Sequence, residues 1–407
     1  MPVVFVHGVN NRKEDPGYTA RQLLTEKFFK KHLANAKVAG KTLATVTPRF
    51  PYWGDLATRF AWDNASLPSG EINALGAPGV EDDLRPLIAI LQDALADPKA
   101  ARKEPLLALA AKSFPQAVGV ISDLLLRGAT PADADRITEF ICAAQAYAEA
   151  KAVPVWLPAV STDAQFFNKL VSETNAASVA AGVQALGGFD FILNPLAAAA
   201  AKLKGAVASA ANTVLDKTGD FASTKLLAWG RRPLNAVVGR FFGDVFAYLH
   251  ERGDKNAPGL IPKLILAEID QAIGEGPPGE PLVIIAHSLG GVICFDLLSY
   301  FRTDIDVDLF ISVGSQVSHF EEMKRFKASN PAIPSPLQKL APTPPNIKHW
   351  INVFDEVDIF SYACEKVFDR VVDFGYDTET YTIKAHGAYF EQDRFYSRLR
   401  ARIDQLP

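Results

Sequence analysis

The stretch Leu282–Gly291 (LVIIAHSLGG) constrains this chain more than any other. Leu282–Ala286 is a fully apolar run of strand length, the pattern of a strand buried on both faces. Leu289–Phe301 reads as a helix. Between the two stands Ser288, with Ala286 two positions before it and Gly290 two positions after. A serine on so tight a turn has a strained backbone, and only small residues fit at those flanking positions. The pattern predicts a hydroxyl at the C-terminal edge of a sheet and at the N-terminus of a helix. Free N–H groups and the helix dipole there favour a developing negative charge. Ser288 is the candidate nucleophile, and the Leu289 N–H is one candidate oxyanion donor.

A hydroxyl is a poor nucleophile without a base. Where a serine sits on such a strand–turn–helix unit, the acid and then the histidine follow it in the chain. Of seven histidines, only His319, His349 and His386 lie downstream. His349 precedes a strand, at the wrong edge, and His319 lies in the loop region after Gly314. His386 follows an expected strand, Tyr381–Ala385, in a loop before the closing helix, and is the candidate base. The acid should follow the preceding strand, Trp350–Phe354. Asp355 and Asp358 both do; Asp358 is favoured, and Asp355 is the alternative. The second oxyanion donor should come from a loop after an earlier strand. Gly8, behind the strand Val3–Val6, permits close backbone approach and makes Val9 N–H the candidate. His287 and Trp53 are the candidate substrate contacts. Trp53 and Tyr52 follow the second strand, where packing of the sheet edge is their alternative role.

Around these residues the pattern alternates. Val3–Val6 reads as a strand, Tyr18–Leu33 as a helix and Leu43–Thr47 as a strand closed by Pro48. Helices are expected at Phe241–Glu251 and Ile261–Ile273, and strands at Leu309–Val313 and Val371–Phe374. Ser329–Asn346 reads as a loop and Glu391–Gln405 as a closing helix. Strand–helix–strand alternation is the signature of a parallel sheet. Between Asp55 and Arg240 the alternation stops, and Ala-rich helical periods replace it. Residues 1–54 and 240–407 are thus expected to form one core, interrupted by a mainly helical insertion, 55–239. Thr174–Ala201 carries one charged residue, Asp190, yet also Gln184, Asn194 and Pro195. A buried helical hairpin fits it better than a membrane span. Lys202–Arg240 is basic; a solvated helix face is the commoner reading of such a run, and residues 174–240 are the candidate for peripheral membrane contact.

The remaining composition excludes other classes. Lys and Arg total 42 against 46 Asp and Glu, a net charge of −4, which gives no case for nucleic acid binding. Cys142, Cys294 and Cys364 are too few for a disulfide framework and fit a reducing compartment. The first residues, MPVVFVHG, are not a signal peptide, so a cytoplasmic location is expected.

Taken together, the strand with His7-Gly8, the turn His287-Ser288-Leu289-Gly290-Gly291, the Asp355–Asp358 region and His386-Gly387-Ala388-Tyr389 resemble the α/β-hydrolase superfamily, its serine lipases and esterases in particular. Ala286 stands where the usual pattern has glycine. The early antiparallel strands of larger members have no expected counterpart in the given sequence, and residues 55–239 lie outside the resemblance. The resemblance implies an α/β fold with a doubly wound, mostly parallel sheet, and a cap or lid formed by the insertion. It also implies hydrolysis of a small-molecule or lipid-like ester through an acyl-enzyme, without metal or organic cofactor. Thioesterase, amidase and acyltransferase chemistry share that intermediate. A non-catalytic lipid- or protein-binding module on the same scaffold is the remaining alternative.

Overall fold

Six short strands build the centre of the molecule. A computed structural model describes residues 2–15, 17–44, 46–62, 104–128, 133–180, 201, 238–277, 279–380 and 382–407. The strands are β1 (Pro2–Val6), β2 (Thr47–Arg49), β3 (Val283–His287), β4 (Val307–Val313), β5 (Ile347–Phe354) and β6 (Val372–Gly375). They form one sheet in the order β6-β5-β4-β3-β1-β2, and every pairing is parallel. Successive side chains point to opposite faces, and both faces are apolar. Val3, Phe5, Val283, Ile285, Ile311 and Val353 belong to one buried cluster. Val4, Val6, Ile284, Ala286, Phe310 and Trp350 belong to another.

Helices cover both faces, as parallel sheets require. On the first lie α1 (Tyr18–Leu33) and α11 (Asp393–Ile403), with Phe28 packed 4.9 Å from Tyr396. On the second lie α6 (238–251), α7 (Leu260–Glu275), α8 (Leu289–Asp296) and the short α9 (Val317–Glu322). The carboxylate of Asp296, fully buried on α8, accepts from Tyr248 Oη at 2.9 Å and Arg252 Nη1 at 2.7 Å. This ties the end of α6 to the helix that begins at Ser288.

The strand order reverses direction between β1 and β3. Loops leaving the C-terminal ends of two such strands diverge and leave a crevice, the usual ligand position in open parallel sheets. His7-Gly8 leaves β1 there, and Ser288 leaves β3.

Two elements differ from the sequence expectation. The second strand is Thr47–Arg49 rather than Leu43–Thr47, so Pro48 lies inside it. Pro48 is tolerated because β2 is an edge strand, with β1 as its only neighbour among the described residues. The region of Tyr381–Ala385 is no strand: Tyr381 lies outside the described residues, and Thr382–Ala388 forms helix α10. Ala385, Ala388 and Tyr389 are buried at helical spacing, and that burial outweighs the strand-like composition of a short run.

Within the insertion, the described helices are α2 (Pro105–Lys112), α3 (Phe114–Gly128), α4 (Ala134–Ala150) and α5 (Asp163–Ala180). Leu109, Ile121, Phe140, Phe166 and Leu170 from these helices share one buried cluster with Phe28 and Tyr396. The described part of the insertion therefore thickens the α1–α11 layer. Most of Thr174–Ala201 and Lys202–Arg240 lies outside the described residues, the candidate membrane contact with it. Among the described residues, no helix is long and apolar enough to cross a membrane.

A shared core has a measurable consequence. Phe140→Ala is expected to lower the unfolding free energy by about 3–5 kcal/mol. The loss should appear in the same denaturant transition that reports the sheet. A separate earlier transition, with the main one unmoved, would show that the insertion folds independently.

Candidate active site

Ser288 has φ 52° and ψ −127°, a backbone region that L-residues with side chains rarely occupy. The surroundings hold it there. Its N–H donates to the Val313 carbonyl at 3.0 Å, and its carbonyl accepts from Ser315 Oγ at 2.7 Å. A Cβ added to Gly290 would lie 2.3 Å from the Val6 carbonyl oxygen, so only glycine lets α8 start this close to β1. A Cβ on Gly8 would lie 2.5 Å from the Cβ of Ser288. The loop after β1 thus passes directly over the serine.

His386 reaches Ser288 from α10. Its Nε2 is 2.8 Å from Ser288 Oγ, and its Nδ1 is 2.9 and 3.0 Å from the two carboxylate oxygens of Asp358. An ionised carboxylate only accepts, so Nδ1 carries the proton and Nε2 is left to accept from the serine hydroxyl. Asp358 is fully enclosed and accepts two more hydrogen bonds, from Phe360 N at 3.0 Å and Tyr389 Oη at 3.0 Å. Burial, then the charge of Asp358, raises the pKa of the Tyr389 phenol, which keeps it protonated as a donor. Gly314, with φ 55°, leaves room for this cluster; a Cβ there would lie 3.0 Å from the Tyr389 ring and 3.2 Å from the carboxylate.

Asp355 is occupied elsewhere. Its carboxylate accepts from Val357 N at 2.9 Å, and from Thr378 N at 2.8 Å and Oγ1 at 2.6 Å. It joins the turn after β5 to the chain entering α10. The alternative acid thus braces the support of the base and does not contact His386.

Two expected substrate contacts take other roles. The Nε2–H of His287 donates to the His386 carbonyl at 2.6 Å, and the two rings lie 4.8 Å apart. Burial, then the neighbouring His386, holds the pKa of His287 well below the usual histidine value. It therefore adds no positive charge beside the base. Trp53 is fully buried, stacked on His7 at 4.9 Å and 9°. Its backbone N–H donates to His7 Nε2 at 3.2 Å and its indole N–H to the His7 carbonyl at 3.0 Å. A large aromatic residue after an edge strand is as suited to packing as to binding, and here packing consumes both of its donors.

The candidate oxyanion donors, Leu289 and Val9, lie at the start of α8 and in the loop after β1. Leu289 is the first residue of α8, where the N–H has no partner within the helix. The Gly8 carbonyl accepts from His7 Nδ1 at 2.8 Å and from Asn11 Nδ2 at 3.2 Å. In a trans peptide the carbonyl and the next N–H point in opposite directions. Fixing the Gly8 oxygen therefore fixes the direction of the Val9 N–H. His7, Asn11 and Tyr389 carried no sequence signal for these duties, because each acts through a backbone or distant partner. A cavity of about 440 Å³ opens elsewhere, between α3, α4 and residues 378–398, and Ser288 does not line it. Among the described residues, no group of three His, Cys, Asp or Glu is placed to hold a metal ion.

No protein-family model, curated protein or solved structure matches the chain.

The two aspartates separate experimentally. Asp358→Ala is expected to lower the kcat of any reaction in which Ser288 is the nucleophile by about 10³–10⁴-fold while the fold survives. Asp355→Ala should act on stability instead, at about 1–3 kcal/mol for each donor orphaned. Parallel kinetics and denaturant titrations decide this, and a greater kcat loss in Asp355→Ala would reverse the assignment. A second expectation concerns His7, whose pKa burial lowers from 6.5 to about 4. The unfolded chain binds this proton at higher pH than the fold does. Stability from this group is therefore intact above pH 6.5 and declines as pH falls toward 4. Imidazole ¹⁵N shifts at pH 5.5 should show His7 neutral with Nδ1 protonated. A charged ring at that pH would contradict the hydrogen-bond assignment.

Proposed function

We propose that this chain is a serine hydrolase with an α/β-hydrolase fold, cleaving carboxylic esters through an acyl-enzyme. The observation that carries the reading is the unbroken line Ser288–His386–Asp358, hydrogen-bonded at 2.8 and 2.9 Å on a serine at φ 52°. Strained residues persist where the surroundings over-determine them, and such sites cluster at catalytic centres.

The steps follow from the hydrogen bonds. Ser288 Oγ attacks the ester carbonyl as its proton passes to His386 Nε2. The tetrahedral oxyanion accepts from the N–H groups of Leu289 and Val9, a contribution worth about 10²–10³ in kcat per donor. Asp358, held by Phe360 N–H and Tyr389 O–H, stabilises the imidazolium. The proton then passes to the leaving alkoxide oxygen, and the C–O bond breaks. Water, deprotonated by His386, attacks the acyl-serine. The acid departs, and the proton returns to Ser288.

An apolar, lipid-like acyl group is supported by the residues beside the base. Phe360 lies edge-on to the His386 ring at 5.1 Å, and Phe241 stacks on Phe360 at 4.6 Å. On the same two elements Val357, Ile359, Phe242 and Phe246 are exposed. The role of residues 55–239 as a cap belongs to this proposal through their two ends, Thr58 and α6, which adjoin the loop after β1.

A fluorophosphonate probe should label wild-type protein at Ser288 and leave Ser288→Ala unlabelled. With that variant as the blank, a chain-length series of p-nitrophenyl esters beside a phospholipid panel should show turnover that rises with acyl length. Folded wild type that neither labels nor turns over any ester would defeat the proposal. Thioester or amide turnover exceeding ester turnover would change the substrate class.

A further inference from the structure

We infer that Asn11 and the buried pair Arg12–Asp244 are positioning residues for the oxyanion donor Val9, and that they link it to both ends of the insertion. This inference rests on the hydrolase reading of Ser288. The Val9 N–H has the direction it has because the Gly8 carbonyl is held from the opposite side. Asn11 Nδ2 supplies one of the two donors to that carbonyl, and also donates to the Val9 carbonyl at 3.1 Å. One amide group thus grips the peptides on both sides of the Val9 Cα. The grip is only as fixed as the backbone that carries Asn11.

That backbone is anchored by one carboxylate. Asp244, on α6, is fully buried. It accepts from Asn10 N at 3.1 Å, Arg12 Nη2 at 2.9 Å and Thr58 N at 3.0 Å. Arg12, 9% exposed, returns a bond to the Asn11 carbonyl at 3.2 Å, and Arg240 Nη1 donates to Asn10 Oδ1 at 2.9 Å. Residues 10, 11 and 12 are each held by this set. Gly54 completes the packing, since a Cβ there would lie 2.1 Å from the Asn11 carbonyl oxygen. Thr58 opens the insertion, and Arg240 and Asp244 close it. None of these side chains touches Ser288, His386 or Asp358 in the bonds described, so their effect on the reaction passes through the Gly8–Val9 peptide.

A positioning role makes a distinctive demand on kinetics. The oxyanion is absent from the bound ester and forms on the way to the tetrahedral intermediate, so a misdirected donor lowers kcat and leaves KM nearly unchanged. Asn11→Ala is expected to reduce kcat on the best p-nitrophenyl ester by about 10–100-fold, part of what outright loss of a donor costs. KM should stay within about threefold, and the pH–rate profile should keep its shape, because the triad is untouched. A trifluoromethyl ketone, whose hemiketal oxyanion fills the hole, should bind more weakly by the same factor as kcat/KM falls. Asp244→Asn keeps an acceptor for the Asn10 N–H and should retain more activity than Asp244→Ala. If Asp244→Ala does not fold, Asn11→Ala, only partly buried, carries the test. Wild type unlabelled at Ser288 by fluorophosphonate would remove both the hydrolase reading and this one. Wild type that labels, beside an Asn11→Ala variant with unchanged kcat and unchanged ketone affinity, would overturn the positioning role alone.

Discussion

The backbone of Ser288 is held at φ 52° against a steric cost of roughly 1–3 kcal/mol, and much of the surrounding architecture exists to hold it. The turn needs a strand buried on both faces before it and a helix packed immediately after it. It needs Gly290 so that the helix can start against the Val6 carbonyl, and Gly8 so that the neighbouring loop can cross above the hydroxyl. It also needs β1 and β3 adjacent and parallel, which places the two loops at the reversal of strand order. Change any of these and the serine becomes an ordinary helix N-cap.

Charge is managed with equal economy around that hydroxyl. Three imidazoles lie within a short distance, those of His7, His287 and His386. Burial disfavours the charged form of the first two, and each spends its ring N–H on a backbone carbonyl. Only His386 has a carboxylate behind it. In the proposed mechanism the positive charge therefore has one place to form. Tyr389 serves the same end from the other side, since a phenol that stays protonated can only donate to Asp358.

Much of the central sheet was legible in the sequence because a buried parallel strand shows itself as a continuous apolar run, as in Leu282–Ala286. The serine turn was legible because its steric demands fall on residues two positions away. Legibility failed where the deciding interaction is distant in the chain. Tyr381–Ala385 looks like a strand by composition, and only the burial of Ala385, Ala388 and Tyr389 shows helical spacing. Pro48 looked like the end of a strand because its position on the sheet edge is not written locally. Trp53 and His287 are candidate substrate contacts in the sequence; the two N–H donors of Trp53 go to His7 and the Nε2–H of His287 goes to His386, residues far off in sequence. Between Asp355 and Asp358, spacing carried no distinction. The difference lies in Thr378, which draws one carboxylate away from the histidine.

Asp244 can also be viewed as a clasp on a polymer ring. Its bond to the Thr58 N–H joins positions 186 residues apart. The entropy of closing a ring grows only with the logarithm of its length, so doubling the enclosed chain costs about 0.6 kcal/mol. What lies inside the ring can therefore lengthen, shorten or diversify at little expense to the closure. The clasp presents the same two ends to the loop beneath it. A core built this way can exchange the content of a large excursion without re-deriving the geometry around Ser288.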